Sequence, residues 1–172
     1  MFKRITIPLV IIFSLVLSAC GSAEPTPPAN ATPLDVFKFA GHYDGSWTNS
    51  KTGATGPATF DFVVDEANKT VALTLDMGGN YLGLGDPPPA TIYATYDEYF
   101  ARITGNDPHF GEMNVLIDGD GNITGEFKNV AGGMVPLLTY TGVVGDGKIN
   151  TTYVITFPDG TTADAVLVAE MK

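Results

Sequence analysis

The sequence predicts an all-β domain, an antiparallel up-and-down barrel of 8–10 strands. Three observations carry this. Apolar and polar residues alternate with a period of two through most of the chain after Gly41, as half-buried antiparallel strands do. The alternating runs fall at even spacing between Asp-, Asn- and Gly-rich turns. So many antiparallel strands leave two pairing edges unless the sheet closes on itself. The alternative is a two-sheet sandwich filled by side chains.

Ten strands are expected: 43–50, 57–65, 69–76, 90–96, 98–104, 111–117, 122–129, 137–144, 148–157 and 161–171. Ala58, Phe60, Phe62 and Val64 alternate with Thr59, Asp61 and Asp65. Val71, Leu73 and Leu75 alternate with Thr74 and Asp76. Met113, Val115 and Ile117 oppose Glu112 and Asn114, and Ile149, Tyr153, Ile155 and Phe157 oppose Asn150, Thr152 and Thr156. A short helical turn is expected at 35–40. Tight connections at Asp65–Asn68, Asp97, Asp118–Gly121 and Gly145–Gly147 offer the positive φ that hairpins need. Longer connections alternate with them, at 50–56, 77–89, 105–110 and 130–136. In a meander this puts tight turns at one end and long loops at the other. A barrel of about eight strands is just filled or holds one small ligand, and ten leave more room.

The N-terminus sets the location. Lys3 and Arg4 precede an apolar run from Ile5 to Leu17, then Ser18 and Ala19. This is the pattern of a secretory signal peptide, and the run is shorter than the roughly 20 residues that span a bilayer. Leu17-Ser18-Ala19-Cys20 resembles the lipobox of bacterial lipoproteins. The resemblance implies lipidation of Cys20 as the first mature residue and an exported, membrane-anchored protein of the cell envelope. Gly21 after the cysteine implies the outer membrane of a two-membrane cell, or the outer face of a single membrane. Residues 1–19 are then the leader. Residues 20–36, with prolines at 25, 27, 28 and 33, form an extended spacer. Residues 37–172 form the barrel domain.

Removal of the leader takes two basic residues with it and leaves seven against 19 acidic ones, a net charge of −12. That sign repels phosphates and argues against nucleic acid and anionic lipid partners. With Cys20 the only cysteine, no internal disulfide or thiolate metal site can form.

Phe39-Ala40-Gly41-His42-Tyr43, followed by Gly45-Ser46-Trp47, resembles the short turn and Gly-x-Trp of the lipocalins. Ala94-Thr95-Tyr96-Asp97-Glu98-Tyr99 resembles their second motif with Asp and Tyr exchanged. A third-motif arginine and a C-terminal helix are absent. The resemblance implies a lipocalin-like barrel, a Trp47 packed across its closed end, and an interior ligand.

Little points to catalysis. The sequence holds no Gly-x-Ser-x-Gly, no His-Glu-x-x-His and no phosphate-cradling loop. His42 and His109 are the only histidines and make no metal-ligand set. Asp118-Gly119-Asp120-Gly121 resembles the middle of a calcium loop, but the ligand positions at its ends fall on Leu116 and Phe127. No cofactor, metal or enzymatic activity is expected. The expected role is binding of a small apolar or amphipathic molecule. Tyr81, Leu82 and Leu84 of the longest loop, with His109, Phe110 and Met134, are the candidate mouth residues. The alternative is a solid barrel that contacts an envelope protein through its loops.

Overall fold

The computed structural model describes residues 25–83 and 85–172; the expected leader 1–19, Cys20, the first spacer residues 21–24 and Leu84 lie outside them. Ten strands run in sequence order: β1 (Gly41–Asn49), β2 (Thr55–Asp65), β3 (Thr70–Met77), β4 (Ala90–Tyr96), β5 (Phe100–Asp107), β6 (Gly111–Asp118), β7 (Asn122–Asn129), β8 (Val135–Gly145), β9 (Lys148–Thr156) and β10 (Thr162–Met171). Each pairs antiparallel with its neighbours in the chain. β1 also pairs with β10, from Tyr43↔Met171 to Asn49↔Ala165. The ring is closed. The fold is a ten-stranded, lipocalin-like up-and-down barrel, and closure leaves no sandwich edge to protect.

Alternation fixes which face is inside, because a one-residue slip in register would turn every side chain over. Phe60 and Leu75 pair on the inner face of β2 and β3. Ile103 and Val115 do so on β5 and β6. On β10 the buried positions are the small or slim Ala163, Ala165, Leu167 and Ala169. Outward positions such as Asp61, Glu112, Asn150 and Asp164 are exposed and polar, the reverse of the outward apolar band of a membrane-spanning barrel.

The two ends differ. At the tight-turn end, carboxylates hold the hairpins by accepting backbone N–H bonds. Asp97 accepts from Tyr99 and Phe100, both at 2.8 Å. Asp118 accepts from Asp120 at 3.0 Å and Asn122 at 2.9 Å. The calcium-like stretch is therefore a β6–β7 hairpin turn. A single 3-10 turn, Val36–Lys38, closes this end, with Asp35 capping it through the Phe37 N–H at 3.2 Å. Val36 is 3% exposed, and the Tyr43 hydroxyl donates to the Phe39 carbonyl at 3.1 Å. The Leu34 N–H also bonds the Glu98 carbonyl at 2.8 Å. Residues 34–36, placed in the spacer by composition, thus belong to the barrel, because their apolar side chains cover its end.

The other end carries the connections 50–54, 78–89, 108–110, 130–134 and 157–161. Those at 50–54, 108–110 and 130–134 are shorter than expected because the strands run further, whereas 157–161 is longer than the expected 158–160 because β9 and β10 each stop one residue short of it. β5 continues through Gly105, Asn106 and Asp107, which read as loop in the sequence yet pair with β6 as far as Asp107↔Gly111.

Candidate functional site

The barrel centre is hollow. A cavity of about 110 Å³ lies among the inner side chains. The inward residues Phe62, Leu73, Ile123, Phe127 and Tyr140 keep some accessible surface although they point to the axis, and all of them line this space. Buried side chains complete the wall, among them Phe60, Leu75, Ile92, Val115 and Val144. The volume is well below the range of about 300–1,000 Å³ of drug-sized pockets and near the size of cavities that admit a single benzene-sized molecule.

The wall is uncharged. Among the described residues that line it, none carries a charge; its polar groups are the hydroxyls of Tyr81, Tyr140 and Thr151. Burial pushes the Tyr81 phenol well above its ordinary range and raises those of Tyr140 and neighbouring Tyr153. All three stay neutral at physiological pH. The Tyr81 and Tyr140 hydroxyls meet at 3.5 Å, and Tyr140 stacks on Tyr153 at 5.2 Å.

Tyr81 plugs the long-loop end of the cavity. It is 2% exposed and meets Trp47 edge to face at 5.3 Å. The Trp47 indole N–H donates to the Gly78 carbonyl at 2.9 Å, tying β1 to the start of the 78–89 loop. Gly56, opposite Trp47 on β2, makes room for that bond: a Cβ there would come within 2.2 Å of the Gly78 oxygen and 2.7 Å of the indole nitrogen. Gly45 is equally constrained, since a Cβ would come within 2.0 Å of the Val168 carbonyl on β10. Trp47 therefore packs at the long-loop end, away from the end closed by the Val36–Lys38 turn, where the lipocalin resemblance placed it.

The expected mouth residues divide. Tyr81 and Phe110 line the cavity. Leu82, at φ 53°, packs partly buried against the core without lining the cavity. The His109 side chain is 45% exposed, with its ring 3.7 Å from Asp107, and Met134 is 55% exposed; neither reaches the cavity. Leu84 lies outside the described residues. Most of the wall comes instead from mid-strand side chains that alternation marks as inward. Thr151 is the one polar member that the strand pattern passes over. Its place between Ile149 and Tyr153 on β9 is the signal that it faces inward.

No family model and no curated protein matches this chain. Solved structures resemble it in fold, two of them as follows. One is a protein of unknown function from the DUF3598 family, from Nostoc punctiforme, with TM-score 0.56 and 13% identity over 86% of this chain and 52% of its own. The other is Rv2717c from M. tuberculosis, with TM-score 0.55 and 10% identity over 78% of this chain and 93% of its own. This chain thus spans about half the length of the first. At such identities the likeness shows the barrel fold alone.

Proposed function

We propose that this protein is an exported lipoprotein whose barrel binds a small apolar or amphipathic molecule, without covalent chemistry. The apolar cavity at the barrel centre is the observation that carries the proposal. Each Å² of apolar ligand surface moved from water into such a wall gains about 25 cal/mol. A dry, apolar cavity of about 150 Å³ is enough to take up benzene. The rival reading, a solid barrel acting through its loops, needs a filled centre. On the proposed reading Cys20 carries the lipid, residues 21–33 space the domain from the membrane, and the pocket faces the cell exterior or the periplasm.

Calorimetric titration with toluene tests the pocket. The expected result is saturable binding at one site with a negative heat-capacity change. Absence of saturable heat rejects it. The anchor is tested separately in cells fed labelled palmitate: label should enter the wild-type protein and be lost in Cys20→Ala. Label that persists in the variant rejects the anchor.

A further inference from the structure

The surface that the cavity presents is almost wholly carbon. Three of the lining residues carry a hydroxyl, yet none offers it to an occupant. The Thr151 oxygen is buried, out of contact with the open space. The Tyr81 and Tyr140 hydroxyls meet each other at 3.5 Å, and their rings are held in place, Tyr81 edge to face on Trp47 and Tyr140 stacked on Tyr153. The barrel ends are covered as well. Buried Tyr81 covers the long-loop end, and buried Val36 and Phe39 cover the tight-turn end. An amphipathic molecule whose tail entered through an end would have to displace one of these covers to keep its head in water.

We propose that the cavity takes only hydrocarbon: a molecule of about benzene or toluene size with no hydrogen-bonding group, and neither an alcohol nor a carboxylate. This rests on the pocket reading above and narrows it from apolar or amphipathic to apolar alone. A hydroxyl carried into the cavity gives up its bonds to water and finds none in return. A carboxylate fares worse, because no described residue of the wall carries a charge to pair with it. Hydrocarbon leaves no bond behind in water, so its burial is favourable over its whole surface. The selection works by exclusion. No side chain reads the ligand; the lack of any open polar atom turns polar molecules away.

Toluene, phenol and octanoate separate these cases. Toluene and phenol have nearly the same shape and differ by one hydroxyl, and octanoate is an amphipathic molecule with a charged head. Each is titrated calorimetrically at pH 7 into the wild-type protein and into Leu73→Phe, whose added ring occupies the cavity. The expected result is saturable toluene binding that falls in Leu73→Phe. Phenol should bind at least about tenfold more weakly than toluene, the effect of burying one hydroxyl without a partner. Octanoate should give no saturable heat. Phenol binding within about threefold of toluene overturns the proposal, because a partner would then be compensating its hydroxyl. Saturable octanoate heat that Leu73→Phe reduces overturns it too. Both outcomes leave the pocket standing. Toluene heat that is not saturable, or that Leu73→Phe leaves unchanged, removes the pocket and this proposal together.

Discussion

Replacing Leu73 by Phe distinguishes a hollow barrel from a filled one by the sign of the stability change. Leu73 lies mid-strand on β3, paired with Phe62 and Ile92, and keeps surface open to the cavity. Empty volume in a core costs about 24 cal/mol per Å³, so the 110 Å³ here corresponds to about 2–3 kcal/mol of recoverable stability. Phe adds three carbons, which at about 0.8 kcal/mol per buried methylene would gain about 2 kcal/mol with no strain. Allowing for imperfect fit, a gain of about 1 kcal/mol is expected. In a domain of this size that raises the melting temperature by about 2–4 °C. The assay is urea unfolding with thermal melts, and toluene affinity should fall in the same variant. In a close-packed centre the extra ring would cost about 1–3 kcal/mol instead. A loss of that size would refute the reasoning.

Two further predictions concern the ends and the outer face of the barrel. Trp47→Phe keeps a ring against Tyr81 but leaves the Gly78 carbonyl without its donor; a loss of about 1–3 kcal/mol in urea unfolding is expected, and a change below about 0.5 kcal/mol would show that the bond does not hold the loop. On the outer face, His42 contacts Asp61 at 2.7 Å and Asp44 at 2.9 Å, and these bonds, that to Asp61 first, raise its pKa above 6.5. The imidazolium is thus favoured by folding, so its contribution is full below about pH 6.5 and is lost as pH rises through the raised value. NMR titration should give a midpoint above 6.5 that falls in Asp61→Asn; a midpoint at or below 6.5 contradicts the bridge.

The strands were legible because one physical rule, alternation under one-sided burial, operates residue by residue. It placed Phe60, Leu75, Val115 and Ile155 inside without knowledge of their partners. Closure was legible as a need, since unpaired edges are a liability. The β1–β10 pairing itself depends on two segments at opposite ends of the domain. β5 was drawn short because Gly105, Asn106 and Asp107 read as a turn, whereas pairing with β6 holds them extended. Local composition also misplaced the spacer boundary: Leu34 and Val36 are too few to suggest a core until a barrel end needs covering.

The cavity was the least legible feature. Its existence depends on the summed volume of inner side chains against a ring of ten strands, which no local pattern reports. Of the loop residues near its mouth, Tyr81 and Phe110 line it, whereas His109 and Met134 face outward. Thr151 was readable from its position two residues from both Ile149 and Tyr153. Its polarity masks that position, because threonine on a strand fits an outward face as well as an inward one.

The most direct test of a hollow apolar centre is diffraction from crystals pressurised with xenon, which enters dry apolar cavities and makes no chemical demand on them. A strong xenon peak among Phe62, Leu73, Ile123 and Phe127 is the expected result. Side-chain density filling that space, with no xenon bound, would contradict it.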